Sequence, residues 1–91
     1  MIKLHLKVIN AVGLHARPAA IFVREAAKFK STIRVCNATT DRKWADAKSI
    51  LGVLTLGVEK DHEIDLEIDG PDEELAASRL KGLIESDFSG A

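Results

Sequence analysis

Two stretches of the chain alternate with a period of two, and their outer faces carry opposite charge. Near the N-terminus, Ile2, Leu4, Leu6 and Val8 are interleaved with Lys3, His5 and Lys7. From His62 to Asp69, Ile64, Leu66 and Ile68 are interleaved with Glu63, Asp65 and Glu67. Strict alternation suits a half-buried strand, because successive side chains point to opposite faces of a sheet. Opposite charges on the outer faces pair favourably across neighbouring strands. The first and last strands are therefore expected side by side. Exposed pairs are individually weak, so the charges speak to topology rather than to stability.

Between them the apolar spacing changes. Ala19, Phe22, Val23, Ala26 and Phe29 recur at helical intervals and predict a helix from about Arg17 to Lys28, with those residues on its core face. At roughly 100° per residue, Arg17, Arg24 and Lys28 fall within ~40° of one another on the opposite side. Ile21 is expected to be exposed beside that basic stripe, with Ala20 at its border. An exposed apolar residue among cations reads either as a solvated face with one stray Ile or as a contact for a partner protein. Its nearness to His15 favours the contact.

Ile33-Arg34-Val35-Cys36 reads as a second strand, residues 37–42 as a hairpin loop, and residues 43–47 as a weaker returning strand. Trp44 is expected to pack over a sheet edge. Ser49 precedes Ile50-Leu51-Gly52-Val53-Leu54 and suits the N-cap of a short helix. That helix is apolar nearly all round. It is either a buried connector or a helix that buries one side and offers Ile50, Leu51 and Leu54 to a partner. With Ile21 nearby, a shared docking surface is the better reading. The acids of Gly70-Pro71-Asp72-Glu73-Glu74 open a final helix. Leu75, Ala76, Leu80, Leu83 and Ile84 are its expected core stripe, Gly82 weakens it, and residues 87–91 are expected to fray.

The element order predicts a two-layer α/β (α+β) sandwich, helices on one face of an antiparallel sheet, in a single domain spanning residues 1–91. A net charge of −1 gives no general positive field to attract nucleic acid or a membrane surface. One cysteine, Cys36, cannot form a disulfide within the chain, and no Cys or His has metal-ligand spacing. No metal or cofactor is expected. The interrupted N-terminal pattern is neither a signal peptide nor a membrane span, so a soluble cytoplasmic protein is expected.

The chemistry is concentrated in Gly13-Leu14-His15-Ala16-Arg17-Pro18. Gly13 permits a sharp turn, and Pro18 suits a first helical position. His15 is then expected just ahead of a helix N-terminus. The free amides of that first turn, those of Ala16 and Arg17 included, and the positive end of the helix dipole would face whatever the ring carries. Arg17 adds a permanently charged donor. A nucleophilic imidazole, an anion-binding helix end and a guanidinium together suit a phosphoryl group on histidine.

Gly13-Leu14-His15-Ala16-Arg17-Pro18-Ala19 resembles the active-site signature of HPr, the histidine-containing phosphocarrier of the bacterial phosphoenolpyruvate-dependent sugar phosphotransferase system. Lys48-Ser49-Ile50-Leu51-Gly52-Val53-Leu54-Thr55-Leu56-Gly57 is similar to the regulatory-serine segment of the same family. The two segments stand in the family's order at nearly its spacing, and the hairpin loop is about three residues longer than is common there. The resemblance implies an open-faced sandwich with sheet order 1-4-2-3 and three helices on one face. It implies a stoichiometric carrier, not an enzyme, phosphorylated at Nδ1 of His15 by enzyme I and discharged to enzyme IIA domains. Arg17 would support the phosphoryl group. Ala20, Ile21, Arg24, Lys28, Ile50, Leu51 and Leu54 would form the docking face.

For Ser49 the resemblance implies phosphorylation by HPr kinase/phosphorylase and recognition by a catabolite-control transcription factor. A phosphate there would be tolerated by the helix dipole yet would charge an apolar docking patch. Two other readings stand beside the sugar carrier: a regulatory HPr-like binding module acting mainly through phospho-Ser49, and a nitrogen-branch phosphocarrier. Regulatory paralogues typically lack the active histidine, so His15 argues against the first of these.

Overall fold

Seven elements make up the computed structural model, which describes residues 1–88. They are β1 (Ile2–Lys7), α1 (Ala16–Ala26), β2 (Thr32–Asn37), β3 (Trp44–Asp46), α2 (Ile50–Thr55), β4 (Glu63–Asp69) and α3 (Glu73–Glu85). The strands form one antiparallel sheet in the order β1-β4-β2-β3, and the three helices complete an open sandwich. The alternating stretches are neighbours, as their charges require: Lys3 stands opposite Glu67, His5 opposite Asp65 and Lys7 opposite Glu63.

The two faces of the sheet separate cleanly. Val8, Ile33, Val35, Ile64, Leu66 and Ile68 are at most 1% exposed and belong to one core with Phe22 and the α3 stripe. On the outer face His5 bonds Asp65 through Nδ1 and Glu63 through Nε2. Arg42 reaches Asp65 at 2.8 Å, and Arg34 bonds Glu67 while lying 4.7 Å from the ring centre of Trp44 on the edge strand β3. With a carboxylate on each nitrogen, Glu63 foremost, the His5 ring holds its proton to a higher pH than a free imidazole. Burial pushes the Asp65 carboxyl up, but the bonds from His5 and Arg42 outweigh it and hold Asp65 below the ordinary carboxylate range.

Three expectations are corrected by the tertiary structure. Ile21 is 5% exposed and lies in the core, not beside solvent. α1 is packed against both α2 and α3, so its buried arc is wider than one apolar stripe predicts. Leu75 is 69% exposed, and the buried stripe of α3 is Ala76, Ala77, Leu80, Leu83 and Ile84. Those positions share one helical face, and Leu75 falls outside it by about one 100° step. The chain end does not fray at Asp87 and Phe88: the Phe88 N–H donates to the Leu83 carbonyl at 2.9 Å and its ring is buried. Residues 89–91 of that expectation lie outside the described residues. Glu25, on which the apolar spacing is silent, is buried, where Arg79 Nε donates to it at 2.8 Å and Lys28 Nζ approaches to 2.7 Å.

Candidate functional site

The loop before α1 is built to hold one backbone path. The Asn10 side chain donates to the Gly13 carbonyl at 2.6 Å, and the Gly13 N–H donates back to the Asn10 carbonyl at 3.1 Å. Gly13 takes a φ of 65°, and a Cβ there would lie 2.1 Å from the Val58 carbonyl oxygen. Leu14 is fully buried and its N–H donates to that same oxygen at 2.9 Å. The next residue is thereby delivered to the surface. His15 is the N-cap of α1, with extended backbone (φ −123°, ψ 160°), and its side chain makes no capping bond.

Ala16, the first helical residue, has a φ of 49°. For a residue with a Cβ that conformation costs about 1–2 kcal/mol, and such strain concentrates at functional sites. The helix begins one residue earlier than the apolar spacing predicts. Pro18 is therefore its third residue, not its first. Proline's missing N–H still falls among the unpaired groups of the first turn, and Ala16 and Arg17 supply the free amides there.

The His15 side chain is 38% exposed, and its Nε2 lies 2.8 Å from Oε2 of Glu59. An ionised carboxylate can only accept, so a neutral His15 ring bonded this way has its hydrogen on Nε2 and its lone pair on Nδ1. Arg17 is exposed and makes no ion pair among the described residues. The site thus presents an imidazole whose Nδ1 is not engaged, helix-end amides without a partner among the described residues, and a guanidinium. That set can accept a phosphoryl group and spread its charge over fixed donors.

Glu59 was not legible in the sequence. It stands 44 residues from His15, in the turn between α2 and β4, with no motif around it. The contact follows from the docking of Leu14 on Val58. The Glu59 N–H donates to Nδ1 of His62 at 3.1 Å, and the His62 N–H donates to the Glu59 carbonyl at 3.1 Å, so the turn closes on itself. Asn37, fully buried, places its Nδ2 3.0 Å from the same His62 nitrogen. His62 is thus a structural residue of the turn. No cluster of His, Cys, Asp and Glu suited to a metal occurs among the described residues.

The second candidate region behaves as an amphipathic helix end. Oγ of Ser49 accepts from the Gly52 N–H at 3.1 Å and caps α2. A Cβ at Gly52 would lie 3.3 Å from that Oγ and 3.4 Å from the Ala45 methyl, so even a methyl group there is a close fit. Val53 and Leu56 face the core, while Ile50, Leu51 and Leu54 are exposed, Leu51 by 73%. α2 contacts α1, so this apolar patch and the exposed Ala20 and Arg24 belong to adjoining helices. Ile21 is absent from that surface, and Lys28 is committed to Glu25.

A model of the family described as the phosphotransferase-system HPr component phosphorylation site matches residues 2–86. The chain belongs to the HPr family. It is 37% identical over 83 residues to the phosphocarrier protein HPr of Treponema pallidum, covering 91% of each chain. It is 45% identical over 74 residues to a multiphosphoryl transfer protein of Vibrio cholerae; this covers 81% of the chain but 18% of that longer protein. The crystal structure of HPr-C-His from Thermoanaerobacter tengcongensis superposes with a TM-score of 0.90 at 45% identity, covering 97% of this chain and 96% of that one. HPr membership makes the chain a phosphocarrier of the phosphotransferase system and not a catalyst. No helix among the described residues is long and apolar enough to cross a membrane.

Proposed function

We propose that His15 is the residue that carries the phosphoryl group, on Nδ1, received from enzyme I and passed to sugar-specific enzyme IIA domains in the cytoplasm. The observation that carries this reading is the state of the ring. Its Nε2 faces a carboxylate, so the neutral ring keeps its lone pair on Nδ1, and it caps a helix whose first amides have no partner among the described residues. Attack by Nδ1 on phosphorus needs no proton removed from the nucleophile, and the donor's bond to phosphorus breaks as the new P–N bond forms. Arg17 and the amides of Ala16 and Arg17 hold the phosphoryl oxygens without forming a covalent bond to them. Ala20, Arg24, Ile50, Leu51 and Leu54 form the docking face for successive partners. Ile21, being buried, acts only by packing beneath it.

The test is phosphorylation by enzyme I and radiolabelled phosphoenolpyruvate. Acid-labile label is expected on the native chain and on Ser49→Ala, and none on His15→Ala. Label retained by His15→Ala would assign the acceptor elsewhere.

A second role is proposed for Ser49. Its hydroxyl caps α2 directly beside exposed Ile50 and Leu51. A phosphate from HPr kinase/phosphorylase would meet the positive end of a short helix and, at the same time, place two negative charges against an apolar docking patch. That patch would then suit a partner with an arginine cluster, such as a catabolite-control transcription factor. Incubation with such a kinase and ATP should label the native chain and not Ser49→Ala.

A further inference from the structure

We propose that Glu59 is a positioning residue for phosphoryl transfer: its carboxylate, 2.8 Å from Nε2 of His15, fixes the ring tautomer and serves as the counter-ion of the phosphorylated ring. The inference rests on the carrier reading of His15 above.

The bond acts on both halves of the cycle. Before transfer, a hydrogen kept on Nε2 leaves the lone pair on Nδ1, the nitrogen that attacks. The opposite tautomer has its hydrogen on Nδ1 and no electron pair there to give. After transfer, a ring carrying phosphorus on Nδ1 and hydrogen on Nε2 is cationic, and Glu59 faces that charge directly. When the group moves on, the electrons of the Nδ1–P bond return to Nδ1, phosphorus bonds to the acceptor, and neutral imidazole is left. No proton moves in either direction. Were Nε2 to lose its hydrogen in the phosphorylated state, the leaving group would be an imidazolate, a far poorer one. A buried carboxylate holds the histidine of a hydrolase triad in the same sense; here the carboxylate is exposed, so a smaller effect is expected.

Glu59 is held for this task by its backbone and not by its side chain. Its N–H and carbonyl are both bonded to His62, and the preceding Val58 carbonyl accepts from Leu14, the residue before His15. Its carboxylate has no other hydrogen-bond partner among the described residues and its side chain is 63% exposed. Replacing that carboxylate should therefore leave the fold unchanged.

The experiment compares the native chain with Glu59→Gln, and with Glu74→Gln as a remote control. Two quantities are read: the tautomer of His15 from long-range nitrogen–proton NMR correlations, and the rate at which the phosphorylated chain delivers its group to an enzyme IIA domain. Glutamine can offer a hydrogen to Nε2 as readily as accept one. The ratio of Nε2–H to Nδ1–H forms should fall about three- to tenfold, and delivery should slow about three- to tenfold, the span of one partly exposed hydrogen bond to a charged group. Glu74→Gln should change neither. An unchanged tautomer ratio in Glu59→Gln overturns the assignment, as does a shifted ratio with an unchanged rate. If the native chain itself takes no label on His15, the carrier reading fails, and the positioning role for transfer fails with it; the tautomer ratio, measured without phosphate, separates that result from a failure of the Glu59–His15 bond.

Discussion

Gly13 and Val58 pack so closely that a methyl carbon on Gly13 would lie 2.1 Å from the Val58 carbonyl oxygen. The same oxygen accepts the Leu14 N–H. One carbonyl thus seats the loop that presents His15 on the turn that presents Glu59. Gly13→Ala combines a positive φ with this overlap and should cost roughly 2–4 kcal/mol of stability. Urea unfolding measures the loss, and phosphorylation by enzyme I should fall with it even at temperatures where the variant remains folded.

Ser49 can be separated into a structural and a regulatory residue. Ser49→Ala removes the acceptor of the Gly52 N–H and should destabilise the fold by about 0.5–2 kcal/mol. Ser49→Asp keeps an acceptor at a helix N-terminus and should unfold within about 0.5 kcal/mol of the native chain. Its negative charge beside Leu51 should nevertheless weaken binding to enzyme I. Thermal denaturation and binding titrations read the two effects independently.

Leu51 is the most exposed apolar side chain of α2. Leu51→Ala should leave stability within about 0.5 kcal/mol, because little apolar contact is lost. If α2 docks partners, the same change should weaken binding to enzyme I by about tenfold or more, as a central apolar anchor does. Native affinity in Leu51→Ala would move the docking surface elsewhere.

The outer face of the sheet should make stability depend on pH. The folded chain binds the His5 proton more tightly than the 6.5 of a free imidazole, because Glu63 and Asp65 accept from it. Its contribution is therefore fully present below about pH 6.5 and is lost as pH rises through the raised folded value. Asp65 has the opposite sign. Held below the ordinary 3.8 despite partial burial, it contributes above that pH and is lost as pH falls through its lowered folded value. Urea midpoints across pH 3–9 should show both limbs, and His5→Gln should flatten the upper one.

Glu25 ties α1 to α3. Its carboxyl is held below the usual 4.5 by Lys28 first and Arg79 second, against the pull of burial. Its contribution is present above that pH and disappears as pH falls through the lowered folded value. Glu25→Ala removes two charge-assisted bonds and should cost about 1–3 kcal/mol at neutral pH, read from chemical unfolding. Phosphorylation of His15 should persist, since the site lies at the other end of α1.

Local pattern reaches as far as local physics does. Alternation and charge placed β1 beside β4, because a strand's two faces are written at a period of two and their charges declare which strand can lie alongside. The turn at Gly13, the N-terminus of α1 at His15 and the cap at Ser49 were also legible, since caps and turns are satisfied by residues next to one another. Tertiary packing decided the rest. Ile21 is buried because α1 meets two helices, Leu75 is exposed because the α3 stripe is set by the sheet beneath it, and Glu25 is buried because Arg79 is brought to meet it. Glu59 is the clearest case: a carboxylate 44 residues from His15 becomes its hydrogen-bond partner only when Leu14 docks on Val58. The order of residues determined which nitrogen-bearing ring would stand at a helix mouth, and the closing of two distant loops determined which end of that ring keeps its hydrogen.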